Sequence, residues 1–355
     1  MGRFTDRVFQ TLPAKAAASR SPCSARGHDR YHHLVSSPPT LLHFDTPAFR
    51  MHRIAVGHGH ALHVQEHGRP DAVAAVVLHG GPGSGCTPLQ RRFFDPARYR
   101  IVCIDQRGAG ASHPRGAVEH NTTAELLEDL HAVREQLGIQ RWLVVGGSWG
   151  AALALAHAAA EPEAVAGLLL RSSFLARAED IAWFFGGAAS EEPRAWEALI
   201  AAAPHAQRSN PLPWLADELG QANPLRRHAA ALAWARWEQA LATGMQDDTT
   251  PSQALLDALV DRYRVQSHYL LHRCWLDAPT LLERCKAIAP VPTLLLHGRL
   301  DRVCRPEGAL ALHHALPHGR LQWVDGVGHD PTHPAMVAAM VSALDTYAQH
   351  GRFTP

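Results

Sequence analysis

Residues 144–160 read VVGGSWGAALALAHAAA. Val144 and Val145 close the apolar run Trp142-Leu143-Val144-Val145, which reads as a buried strand. Ala151 to Ala160 is made of strong helix formers. Between them, Gly146-Gly147-Ser148-Trp149-Gly150 fits G-x-S-x-G. A strand that turns at once into a helix leaves almost no room, and small residues two before and two after the serine let the backbones approach. The serine is then held in a strained conformation, hydroxyl exposed, with the helix N-terminus behind it. A Gly-rich turn with an incidental serine has the same letters, so the rest of the chain must decide.

The chain has 355 residues, enough for one large α/β domain with an inserted subdomain, or for two domains. It is 46% apolar and 19% charged, with a formal net charge of +1. That balance implies no nucleic-acid or acidic-membrane partner. No apolar run approaches the roughly 18 residues of a membrane span. The six cysteines, at 23, 86, 103, 274, 285 and 304, form no C-x-x-C and no His/Cys cluster of zinc spacing. No metal and no cofactor is expected, and free thiols point to a reducing, cytoplasmic compartment. The 25 histidines are scattered and count as structural until one falls in a motif.

Residues 1–43 are rich in Arg, Ser, Ala and Pro, poor in acids, and without a sustained period or a continuous apolar stretch. A disordered tail is the simplest reading. A transit-like segment, or an extension upstream of a start at Met51, stays open. From 44 to 171 strands and helices alternate. Arg53–Val56 and Ala61–Gln65 read as a hairpin, with Ala74–Leu78, Arg100–Ile104 and Val165–Leu170 as further strands. A helix runs over 122–137, with Thr123 as its expected N-cap. From about 172 to 286 the pattern turns helical, rich in Trp and Ala and broken by Pro, and reads as a cap. From 287 to 350 the alternation resumes with Thr293–His297, Leu321–Val324 and a last helix from Pro334 to His350. Strands alternating with helices mean a mostly parallel sheet covered on both faces.

A serine needs a base, and the base needs a carboxylate. In an open α/β sheet these sit on loops after the carboxyl ends of strands. His297-Gly298-Arg299-Leu300-Asp301 follows one late strand, and Asp325-Gly326-Val327-Gly328-His329-Asp330 follows the next. The order Ser148, Asp301, His329 is that of the α/β-hydrolases. His297 competes with the pair from beside Asp301, and Asp330 and His333 from beside His329. The oxyanion donors would be the Trp149 amide and that of Gly80 or Gly81, in the turn His79-Gly80-Gly81-Pro82. That turn lacks the Gly-Lys-Ser/Thr of a phosphate-binding loop.

These residues resemble the prolyl aminopeptidases, or proline iminopeptidases, of the α/β-hydrolase fold. The match lies in His79-Gly80-Gly81-Pro82-Gly83-Ser84-Gly85-Cys86, Arg91–Pro96, Asp105-Gln106-Arg107-Gly108, Asn121-Thr122-Thr123, Gly146–Gly150 and Gly328-His329, and runs from about 44 to 348. The resemblance implies a metal-free serine exopeptidase that releases an N-terminal proline from small peptides. The proline ring would lie against aromatic cap residues and its nitrogen against acids. Phe174 and the Trp183-Phe184-Phe185 stretch match the aromatic side, with Arg171 preceding them as in the family. Trp234-Ala235-Arg236-Trp237-Glu238 matches a segment whose glutamate binds the amine, although a helix-face Glu beside core tryptophans would look the same. Two departures touch this pocket and not the triad. Gln266 stands where the family has a second amine-binding glutamate, and Arg171-Ser172-Ser173-Phe174 replaces R-G-I-F. Glutamine accepts a hydrogen bond but cannot neutralise an ammonium. An esterase or amidase on the same scaffold is therefore the runner-up. A binding protein that kept the fold is the reading from another class. Oligomeric state is not legible.

Overall fold

The computed structural model describes residues 41–245 and 249–354. Residues 1–40, with Cys23 and almost all of the segment read as a tail, lie outside the described residues. The strands are β1 (Arg50–Ala55), β2 (Ala61–Gly68), β3 (Val73–Leu78), β4 (Tyr99–Asp105), β5 (Trp142–Gly147), β6 (Val165–Arg171), β7 (Thr293–Gly298) and β8 (Gly319–Val324). They form one sheet in the order β1-β2-β4-β3-β5-β6-β7-β8. β1 and β2 pair antiparallel, as does β2 with β4, and the rest is parallel. This is the α/β-hydrolase architecture the motif order led us to expect.

The parallel strands read as continuous apolar runs because both faces are buried. Along β4, Val102 and Ile104 enter one core while Ile101 and Cys103 enter the other. Along β7, Leu295 faces one side and Leu294 and Leu296 face the opposite side. The first core is packed by α2 (Thr123–Gln136) and the wholly buried start of α3 (Trp149–Ala160). The short α1 (Pro88–Arg91) follows β3 and α10 (Pro306–Ala315) follows β7; the second core is packed by α11 (Pro334–His350) through Met336, Met340, Leu344 and Tyr347.

The helix at 123–136 corrects one expectation. Thr122, not Thr123, is its N-cap: the Thr122 hydroxyl accepts from the Glu125 amide, and the Glu125 carboxylate accepts from the Thr122 amide. Thr123, one residue inside, donates its hydroxyl to the Cys274 carbonyl at 2.6 Å. The reciprocal Thr-x-x-Glu box was in the sequence and favours the earlier threonine.

Between β6 and β7 the described residues form α4 (Ala178–Phe184), α5 (Pro193–Ile200), α6 (Leu212–Leu219), α7 (Pro224–Thr243), α8 (Gln253–Leu271) and α9 (Leu281–Arg284), with no strand among them. Pro193, Pro213 and Pro224 start helices, where a missing N–H costs nothing. Trp234 and Trp237 on α7 are fully buried, and Trp237 Nε1 donates to the Phe184 carbonyl at 3.0 Å. That bond fixes α4 against α7. Among the described residues no helix is long and apolar enough to cross a membrane.

Candidate active site

Ser148 sits between β5 and α3 with φ 57° and ψ −122°, a left-handed conformation rare for a side chain larger than hydrogen. Its neighbours show why the turn needs glycine. A Cβ on Gly146 would lie 2.2 Å from the Gly150 carbonyl oxygen, and one on Gly150 would lie 2.0 Å from that of Leu78. The serine amide donates to the Arg171 carbonyl at 2.9 Å, tying the turn to the end of β6.

His329 Nδ1 donates to Asp301 Oδ2 at 2.8 Å, leaving Nε2 free to face the serine. Asp301 Oδ1 accepts from the amides of Val303 (3.0 Å) and Cys304 (2.8 Å), so the carboxylate is oriented by its own loop. Burial pushes the Asp301 carboxyl up. The charges of His329 and His297 and the hydrogen bonds from His329 and the Cys304 amide together outweigh it, and the group ends below the usual carboxylate range. The competing residues are engaged elsewhere. His297 Nε2 bonds the Cys304 carbonyl at 2.8 Å and stands 3.9 Å from Asp301. Asp330 accepts from Thr332, and His333 caps α11. Ser148 and His329 line the same two cavities, with no hydrogen bond between them among the described residues.

The amides of Gly80, Gly81 and Trp149 donate to no backbone carbonyl among the described residues. Gly80 lies against the elbow: a Cβ there would sit 3.3 Å from the Gly147 carbonyl and 3.5 Å from Ser148 Cβ. Gly81, at φ +112°, lines both cavities. What holds this turn to the elbow is Gln106, whose role the motif alone did not give. Its Nε2 donates to the His79 carbonyl at 3.1 Å, and its Oε1 accepts from Trp149 Nε1 at 2.9 Å. Its own amide donates to His79 Nε2 at 3.1 Å, so the proton of this ring is on Nδ1 and goes to the Gly80 carbonyl at 2.8 Å. Burial drives the His79 imidazole down, which keeps it neutral as this pattern requires. The neighbouring Arg107 forks onto Asp129 with two bonds of 2.8 Å. Asn121 links Arg107 to α8 by donating to its carbonyl at 3.1 Å and accepting from Tyr269 at 2.8 Å.

Two cavities meet at Ser148. The larger, about 490 Å³, includes Gly80, Gly81, Arg171, Glu238, Arg262, Tyr263 and His329 in its lining. The smaller, about 50 Å³, is walled by Phe174, Phe184 and Phe185, with Glu238, Gln266, Asp180 and Cys304. Five of the sequence-derived substrate residues, Phe174, Phe184, Arg171, Glu238 and Gln266, thus reach one cavity or the other. Trp183 does not: its Nε1 donates to the Arg302 carbonyl at 2.8 Å, and Arg305 stacks on its ring. Arg171 lines the larger cavity and donates to the His329 carbonyl at 3.0 Å. Glu238 accepts from Arg262 and, at 3.2 Å, from the Tyr263 hydroxyl. Asp180 was missed. It stands in an ordinary first-turn position of α4, and no spacing rule points it at a serine 32 residues away in sequence.

Comparison with known proteins agrees with this geometry. Residues 75–333 match the family model described as alpha/beta hydrolase fold. A proline iminopeptidase of Xylella fastidiosa is 38% identical over 297 residues, covering 83% of this chain and 95% of the relative. A proline iminopeptidase of Arabidopsis thaliana is 39% identical over 288 residues, covering 80% and 76%. The crystal structure of a proline iminopeptidase of Mycobacterium smegmatis superposes with a TM-score of 0.52 at 18% identity, covering 85% of this chain and all of that one, which speaks for the fold alone. With the elbow, the Asp301–His329 pair and this likeness together, the chain belongs to the α/β-hydrolases and, within them, to the proline iminopeptidase family.

Proposed function

We propose that this protein is a serine exopeptidase that releases an N-terminal proline from small peptides. The observation that carries the reading is the 50 Å³ cavity at Ser148, whose aromatic walls end on Glu238 and Gln266. Apolar faces around a ring and a carboxylate at its nitrogen suit a protonated secondary amine, which needs a charged partner once water is excluded.

Ser148 Oγ attacks the prolyl carbonyl while His329 Nε2 takes the hydroxyl proton. Asp301 holds the ring and stabilises the imidazolium. The Trp149 amide and that of Gly80 or Gly81 receive the oxyanion. His329 then gives its proton to the leaving amine, and prolyl-Ser148 remains. Water attacks that ester with His329 as base, and proline leaves. For the first step Ser148 and His329 must close on each other as substrate settles, as catalytic hydrogen bonds commonly tighten in the substrate complex. Five cysteines of the described residues are unbonded, which suits a reducing compartment such as the cytoplasm.

The test pairs a proline arylamide with its N-acetylated twin and a simple acetate ester. Cleavage of the free-amine substrate alone, abolished in Ser148→Ala, is the expected result. Equal or faster turnover of the acetylated substrate or the ester would sink it. Gln266, in place of an acid, favours that other outcome, an esterase or amidase.

A further inference from the structure

Gln266 leaves the amine subsite one negative charge short of the family's pattern, and an acidic residue on a different element of the fold lines the same cavity. We propose that Asp180, in the first turn of α4, supplies the second negative charge that holds the substrate's ammonium. This rests on the aminopeptidase reading above and names a residue that decides its specificity.

Four observations support it. Asp180, Glu238 and Gln266 line one small cavity with Ser148. Asp180 and Glu238 are the two carboxylate residues in that lining, which holds no Lys or Arg. Both have arginine partners that stand outside it. Arg177 forks onto Asp180 with bonds of 2.9 and 2.6 Å, Arg305 lies 4.0 Å from it, and Arg262 pairs with Glu238. The arginines orient the acids without filling the cavity. Finally, Gln266 is 6% exposed and its Oε1 has no hydrogen-bond partner. A buried acceptor left unpaired marks a place where a donor belongs. A prolyl ammonium brings two N–H donors and one positive charge. The Gln266 oxygen and the Glu238 carboxylate can take the donors, and Asp180 adds the charge that an amide lacks.

Asp180 also has a local duty, since its carboxylate accepts from the Arg177 amide at 3.3 Å and so helps cap α4. The experiment must separate the two roles. It compares kcat/KM for proline 4-nitroanilide with that for cyclopentanecarboxylic acid 4-nitroanilide, the same ring with carbon in place of the ammonium. In Asp180→Asn the preference for proline falls about 10- to 100-fold, the range of one opposite charge several ångström away at an effective dielectric of about 20, while the carbocyclic substrate keeps its wild-type value. Asp180→Asn with Gln266→Glu regains most of the preference. An unchanged preference in Asp180→Asn overturns the proposal, as does an equal fall on both substrates, which would leave Asp180 a helix cap only. Should Asp180→Asn not fold, Gln266→Glu alone decides. With Asp180 acting, an added acid raises the preference little, whereas a gain of about tenfold or more refutes the assignment. A wild type that shows no preference at all is a different failure, that of the aminopeptidase reading itself.

Discussion

Replacing Gln106 by leucine tests whether the Gly-rich turn and the elbow form one device. The side chain is 4% exposed and bridges two fully buried groups, the His79 carbonyl and Trp149 Nε1. Leucine fills similar space and bonds neither. Each stranded group costs about 1–3 kcal/mol, so Gln106→Leu should lose roughly 2–6 kcal/mol of unfolding free energy, a large part of the 5–15 kcal/mol typical of a domain. The effect on catalysis is separate. The bridge sets the Gly80 and Gly81 amides relative to the Trp149 amide, and a shift of about 1 Å in such groups costs on the order of 100-fold. That loss should fall on kcat with KM little changed, because in the proposed mechanism these amides are oxyanion donors, which bind the transition state more tightly than the substrate. Urea unfolding gives the first number. Steady-state kinetics on a proline arylamide, at a temperature where circular dichroism shows the variant folded, gives the second. A folded variant that is destabilised but keeps wild-type kcat would refute the positioning argument and reduce Gln106 to a structural residue. A variant with wild-type stability would show that the two buried groups find other partners.

Two further perturbations address other parts of the molecule. A Cβ on Gly147 would lie 2.8 Å from Arg171 Nη2, so Gly147→Ala should push away the guanidinium that donates to the His329 carbonyl. A drop in kcat of about tenfold with near-normal stability is expected, and unchanged kcat would show that Arg171 does not position His329. His157 is fully buried, accepts from Trp142 Nε1 at 3.1 Å, and is pushed by burial from 6.5 down to about 4. The unfolded chain therefore binds the extra proton first. This stability is present above about pH 6.5 and is lost as pH falls towards 4, about 2 kcal/mol of it by pH 5. In His157→Leu that share of the acid slope should vanish, at a cost of about 1–3 kcal/mol at pH 8 for the stranded Trp142 N–H. An unaltered slope in urea titrations between pH 5 and 8 would count against it.

The sheet and the residues around Ser148 were legible because the backbone itself writes them into sequence. An elbow at φ 57° leaves no space at 146 and 150, and only glycine answers that. A parallel strand buried on both faces must be apolar throughout, so Leu294-Leu295-Leu296 declares itself and Asp301 follows at its carboxyl end. Chain order disfavours His297, which precedes Asp301, but not His333; the 2.8 Å bond to Asp301 selects His329. Gln106 was visible as a letter in a motif, but its duty was not. A hydrogen bond from one loop to two others has no period and no spacing.

The small cavity proposed to hold the amine is the opposite case, for a physical reason. Its aromatic and acidic walls come from α4, α7, α8 and the loop after β6; Trp234 and Trp237 pack α7 against Phe185 and Phe184, and the Trp234–Tyr263 stack joins α7 to α8. A helix shows in its sequence which face is apolar, but not which neighbour that face will meet or at what rotation. Residue 266 could be compared with a family pattern, and so its loss of charge was seen. Asp180 could not, because an acid in the first turn of a helix is already accounted for by the helix dipole and the cap. The same carboxylate can serve both ends at once: it caps α4, and its residue lines the cavity. If specificity here has moved from α8 to α4, the change needs no new fold and no altered triad. It needs only that an acid already held by Arg177 stand where an ammonium can reach it.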